Sequence, residues 1–485
     1  MDENDVSKNL IEAAEKDKVA MESLKTPTTP RHFSKKHEGT PWRLFFATIC
    51  ALLGALSFGF VIGYSSPAIP QLEKASLLVG EQKGWFGSLM TVGALFGGPL
   101  GGWSLEKFGR RMTMKVTALP FLLGWILIAT AKGSTGLFLG RFLCGFGSGL
   151  VTVCVPVYVA EISTSSLRGT LGAGVQLLIT LGILSAYSMS ALKFVWTEIA
   201  YIGIGLSVLQ FLVLFLIPET PRWLLVNKTK KEAVLALQQL RHQHADCEDE
   251  CRDIEEGLDI KESFSWSEFR KPELSKPLII SVIIMIFQQF GGINAVMFYT
   301  ESIFNSAGLK DGQMATVVIG AVQVVGTLLA CLLMDRIGRR KLLIFAGAVM
   351  SIACFMFSWY YYKISHGANA ENMGPLAVIC LVLYIIGFSL GWGPIPMLIM
   401  SEIFPSRVRG AASAIAIFVN WSCAFIITKE FLFIQETIGP SMTFSMFACS
   451  CLFSVVYVWK KVPETKGKSL EDIELFFLGK SMMYV

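Results

Sequence analysis

The stretch DRIGRRKL, residues 335–342, is a short charged island between two apolar blocks. A similar island, EKFGRRMTMK at residues 106–115, lies 229 residues earlier and also follows a long apolar block. Two further pairs keep the same order. AEISTSSLRG (160–169) matches SEIFPSRVRG (401–410), each a Glu, six residues and then Arg-Gly, at an offset of 241. PETPR (218–222) matches PETKG (463–467) at an offset of 245. Three ordered pairs at nearly one offset indicate a parallel duplication with small insertions.

The blocks between the islands set the environment. Of 485 residues, 53% are hydrophobic and 16% charged, well below the roughly 25% charged of a soluble domain. A spanning helix needs about 20 apolar residues. Twelve blocks qualify, near 43–65, 84–105, 112–131, 137–158, 170–190, 197–217, 277–299, 313–334, 342–362, 375–400, 410–428 and 437–459. The expected fold class is therefore an all-α membrane protein of twelve transmembrane helices in two six-helix repeats. Its segments are a tail (1–42), one half (43–217), a charged central loop with short helices (218–276), a second half (277–460) and a second tail (461–485).

Basic residues concentrate in the islands and in KKVPETKGK (460–468), whereas SSPAIPQLEKASLLVGEQK (65–83) carries few. By the positive-inside rule both termini and the central loop are cytoplasmic. The polar segment before residue 42 reads as no cleaved leader, so the first span is its own insertion signal. Nine of the eleven cysteines fall within spans, as small apolar residues. HQHADCEDEC (242–251) matches no common zinc spacing and reads as a charged amphipathic helix. No phosphate loop, catalytic triad or zinc-protease signature occurs, so no enzyme and no cofactor is expected.

Within the seventh block, IFQQFGGINAVMFYT (286–300) places Gln288, Gln289 and Asn294 around Gly291-Gly292. Amides in hydrocarbon are costly unless paired. On a straight helix these three would diverge by about 100–140°. The glycine pair predicts a break that lets them converge, with Phe298 and Tyr299 as an outer lid. Gly93, Gly97 and Gly101, four apart, predict close helix packing. Pro394 and Pro396 predict a bend in the tenth span.

Taken together, GRR, PETPR, GRF (140–142), QQFGGINAVMFYT, GWGPIPM (391–397) and PETKG resemble the sugar porter branch of the major facilitator superfamily, over about 43–475. GYSSPAIPQL (63–72) and GWGPIP look most like the class III facilitative hexose transporters of animals, with insect trehalose transporters close. The resemblance implies the major facilitator fold and a sugar substrate. It also implies sugar contacts at Gln176, Gln288, Gln289, Asn294 and Asn420, with Gln323 where relatives often carry Asn. Phe388, Trp392 and Trp421 are the nearby aromatics. The chemistry agrees, because an uncharged amide offers both a donor and an acceptor to a hydroxyl. Met397 stands where many relatives have Trp, and Trp392 is expected to compensate in part.

The matched charges suggest a cytoplasmic gate. Glu161, Arg168 and Glu219 at helix ends of one half are expected to pair with the Gly-Arg-Arg loops or their counterparts in the other half, the gate charges being Arg110, Arg111, Glu161, Arg168, Glu219, Arg222, Arg339, Arg340, Glu402, Arg409 and Glu464. For the energy source, all five histidines lie outside the spans and no Asp or Glu falls well inside one. Sugar–proton symporters of the superfamily typically carry an Asp in the first span; here that position is Val61. A passive hexose uniporter, working as a monomer without nucleic acid, in the plasma or an endosomal or lysosomal membrane, is the expected function. A trehalose carrier, a proton-linked carrier and a non-transporting sugar receptor are the alternatives.

Overall fold

A computed structural model describes residues 42–164, 167–241, 247–256, 266–309, 311–368, 370–404, 406–466, 468, 473 and 476–477. A backbone in hydrocarbon must satisfy its own N–H and C=O groups, so each apolar run closes into a helix. The first half comprises α1 (Trp42–Lys74), α2 (Gln82–Phe108), α3 (Arg110–Ala129), α4 (Ser134–Ile162), α5 (Arg168–Ala191) and α6 (Trp196–Val213). Three short helices follow: α7 (Pro221–Asn227), α8 (Lys230–Leu240) and α9 (Cys247–Glu256). The second half comprises α10 (Pro272–Phe290), α11 (Ile293–Ser306), α12 (Gly312–Ile337), α13 (Arg339–Ser365), α14 (Ala370–Gly387), a π-turn (Phe388–Trp392), α15 (Ile395–Ile403) and α16 (Ser406–Lys461).

Among the described residues, ten stretches are long and apolar enough to cross a membrane. One, Pro272–Ser306, contains both α10 and α11. Another, Val408–Lys461, is interrupted at Gly439 (φ 84°), just before Pro440. The glycine-rich α2 is 27 residues long and falls outside those ten. Its glycines have a packing reason: a Cβ at Gly93 or Gly97 would run into the backbone of Phe142 or Phe146 on α4. Small residues let membrane helices approach this closely.

The two halves meet where α11 packs on α1, α12 on α5 and α16 on α2. Tyr187 of α5 donates to the Met297 carbonyl of α11 at 2.7 Å. Helices α7, α8 and α9 form a separate small core of Leu224, Ala233, Ala236, Leu237, Cys247 and Cys251. The CEDEC segment is thus the amphipathic helix expected, with its cysteines facing inward. His242 and His244 lie outside the described residues. Arg241 ties this bundle to α4 by donating to the Ile162 carbonyl (2.8 Å) while pairing with Glu250 (2.7 Å).

Candidate functional site

The glycine pair does break the seventh span. α10 ends at Phe290, Gly292 adopts φ 92°, and α11 restarts at Ile293. That φ favours glycine, and a Cβ there would also lie 2.6 Å from the Phe447 ring. Tyr384 of α14 closes the break by donating to the Gly291 carbonyl (2.9 Å).

The break gathers the amides. Asn294 Nδ2 donates to Gln289 Oε1 (2.7 Å), and Gln289 Nε2 to Asn420 Oδ1 (3.2 Å). Asn420 Nδ2 donates to Gln288 Oε1 (2.8 Å), and Gln288 Nε2 to the Trp392 carbonyl (2.7 Å). Four side chains from α10, α11 and α16 thus form one chain of hydrogen bonds ending on the π-turn of the tenth span. Beside it, Trp421 meets Phe58 of α1 edge-on, ring centroids 6.2 Å apart, so an aromatic pair joins the halves.

Two other predicted positions hold unspent polar capacity. Gln323 is 3% exposed, and its Oε1 has no partner. Gln176 is half-buried, with no side-chain bond among the described contacts. Sequence reading missed Ser389, whose buried Oγ is also unpartnered. It lies against Gly326 on the same helix as Gln323, a Cβ there being 2.8 Å from Ser389 Cβ. A lone serine in an apolar run gives no signal; only the π-turn placement exposes it.

Trp392 is buried against α13: its Nε1 donates to the Leu343 carbonyl at 3.2 Å, beside Gly347. An indole N–H in an apolar bundle needs an acceptor, and the Leu343 carbonyl of α13 supplies it. Met397 is 39% exposed on α15. Phe388 stays in the π-turn, 8% exposed, its ring against Gly393.

The charged gate is built differently from the expectation. Arg110 pairs with Glu161 (2.7 Å), and Thr220 Oγ1 donates to the other Glu161 oxygen (2.7 Å). In the second half Arg339 pairs with Glu402 (3.1 Å), and Thr465 Oγ1 donates to the other Glu402 oxygen (2.5 Å). Glu219 accepts from the backbone N–H groups of Arg110 and Arg111 (both 3.0 Å). Glu464 accepts from those of Arg339 (2.9 Å) and Arg340 (3.1 Å). Gly109 (φ 91°) and Gly338 (φ 100°) make both turns possible. The repeat therefore recurs at the level of atoms, but each cluster closes inside its own half. Each glutamate finds donors one helix end away, within its own half. Arg168 bonds the Ala160 carbonyl and Arg409 the Phe404 carbonyl, each near in sequence. Arg222 is exposed at the start of α7. Burial raises the Glu219 carboxyl above its usual value, opposed by the Thr220, Arg111 and Arg110 N–H donors.

Phe298 and Tyr299 are fully buried. Tyr299 donates to the Thr428 carbonyl (3.0 Å), stacks on Phe431, and presses on Gly87 of α2. In α4, Arg141 bonds Val61 O (3.0 Å), Ser65 Oγ (2.5 Å) and Phe86 O (3.3 Å). Val61 thus meets the buried arginine with its backbone carbonyl.

An all-helical fold with ten long apolar stretches and a chain of linked amides at the break in one of them fits a membrane carrier. The chain belongs to the family described as Sugar (and other) transporter, whose model matches residues 47–477. This is a family of transporters, not of enzymes. The chain is 40% identical over 461 residues to the facilitated glucose transporter member 8 of solute carrier family 2 from Bos taurus, covering 90% of this chain and 95% of that one. It is 38% identical to the facilitated trehalose transporter Tret1 of Drosophila pseudoobscura pseudoobscura, covering 90% of this chain but 52% of that one. Among solved structures, the inward open xylose transporter XylE from E. coli superposes with a TM-score of 0.77 at 26% identity, covering 89% of this chain and 99% of that one. The proton:xylose symporter XylE bound to 6-bromo-6-deoxy-D-glucose gives a TM-score of 0.74 at 25% identity, with 90% and 99% covered.

Proposed function

We propose that the protein carries a hexose such as glucose down its gradient by alternating access, as a monomeric uniporter. The observation that carries this reading is the chain of four linked amides at the break between α10 and α11. A polyol exchanges such amide–amide bonds for hydroxyl bonds without burying a charge. Gln176, Gln323 and Ser389 supply further polar groups, and Phe58 with Trp421 an apolar face. Phe298 and Tyr299 serve as the outer lid.

The same reading takes twelve crossings, with both termini cytoplasmic, halves at 43–217 and 277–460, and the loop 218–276 inside. The clusters around Arg110 and Arg339 hold each half rigid at its cytoplasmic end. The membrane is the plasma membrane or that of endosomes or lysosomes.

Absence of coupling is supported by Arg141, which faces the Val61 carbonyl where a coupling acid would stand. Counterflow of labelled glucose, fructose and trehalose in proteoliposomes tests substrate and mechanism together. Glucose counterflow that survives dissipation of the proton gradient is the expected result. Trehalose-only counterflow selects the disaccharide reading, to which the Tret1 likeness points; loss of flux with the gradient overturns uniport.

A further inference from the structure

Glu301 lies two residues beyond the seventh apolar block. The structure carries α11 to Ser306 across a kink at Tyr299 (φ −117°, ψ 16°) and leaves Glu301 4% exposed, a buried acid beyond the expected span. Its contacts cross between halves at the end of the bundle opposite the Gly-Arg-Arg clusters. Ser190 Oγ of α5 donates to its carboxylate at 3.1 Å. Its own N–H donates to Ser66 Oγ of α1 at 2.9 Å. Gln313 of α12 donates to the second carboxylate oxygen at 3.4 Å. The charged group acting on it from α1 is Lys74, in that helix's last turn; α5 and α12 face it with the neutral Ser190 and Gln313. Among the described residues no lysine or arginine forms an ion pair with it.

A carboxylate moved from water to neutral donors loses more solvation than a carboxylic acid does. Alternating access makes that move in every cycle. When the outer side opens, α11 leaves α1 and α5 and the side chain meets water; when it shuts, the side chain is sealed in. Two states that differ in the cost of a charge are linked to the proton by mass action.

We propose that Glu301 is a positioning residue of the outer gate. In its neutral form it lets α11 seat against α1 and α5; in its ionised form it favours the open outside. The carboxylate takes its proton from outside water and returns it there, so the proton tunes the gate without driving sugar across. This rests on the alternating-access reading above.

The test is uptake into proteoliposomes with the inside buffered and the outside set at about pH 5.5 or about pH 7.5. In the wild-type protein the outside KM is expected to be roughly five-fold higher at the acid pH, with equilibrium-exchange Vmax unchanged. Glu301→Gln should show the acid-pH KM at both settings. Ser190→Ala, which removes a neutral partner and no charge, should lower the acid-pH KM and covers the case in which the glutamine variant does not fold. A wild-type KM independent of outside pH, a pH dependence surviving in Glu301→Gln, or an unchanged acid-pH KM in Ser190→Ala would each overturn the proposal. Counterflow at one fixed pH tests transport alone, so the two readings fail separately.

Discussion

At the scale of single residues, the amides explain why a polar cluster persists in an apolar bundle. Gln288 is the junction: its Oε1 accepts from Asn420 and its Nε2 donates to the Trp392 carbonyl. Replacing it with Leu removes both links, while Asn420 keeps the Met285 carbonyl at 3.3 Å. A hydrogen bond between membrane helices contributes about 0.6–2 kcal/mol, so Gln288→Leu should fold. Its counterflow is expected to vanish while the thermal midpoint in detergent moves only a few degrees. Undiminished counterflow would remove Gln288 from the site. The residue types were legible in sequence, because amides in an apolar run need a reason. Their partners were not: Ser389 and the acceptor of the Trp392 indole were missed because ring direction and helix winding depend on which neighbour offers an acceptor.

At the scale of elements, the Gly291-Gly292 break is the feature on which convergence depends. Gly292 combines a left-handed φ of 92° with a close approach to Phe447. A left-handed non-glycine residue costs about 1–2 kcal/mol, before the ring has to move. Gly292→Ala is therefore expected to lower the thermal midpoint clearly, whereas Gly410→Ala, with open space at its Cβ position, should leave it nearly unchanged. Equal midpoints for the two would show that the break is not needed. The break was readable from the sequence; the extent of the helix beyond it was not. Beyond the kink at Tyr299 the helix holds Glu301, whose N–H meets Ser66 and whose carboxylate accepts from Ser190 and Gln313, and Ser66 and Ser190 lie far away in sequence.

At the scale of the whole molecule, the repeated motifs give each half its own charged clasp. If the clasps close within halves, energetic coupling follows the same partition. In a double-mutant cycle, Arg110 and Glu161 should couple by ~1–3 kcal/mol, and Arg339 with Glu402 similarly. The crossed pair, Arg110 with Glu402, should couple by almost nothing. Thermal unfolding of the single and double alanine variants measures this, and strong crossed coupling would restore the gate that spans the halves.

By itself the sequence determined that the chain is helical, membrane-embedded, duplicated and amide-bearing at its centre. Those properties follow from apolar length, repeated motifs and residue type, which are local. Tertiary structure alone decided that the repeated charges pair within halves, that the Trp392 indole bonds α13, and that Glu301 is sealed between α1, α5 and α12. Each of these depends on which donor or acceptor lies within about 3 Å of a buried polar group, and that proximity is set by the packing of helices far apart along the chain.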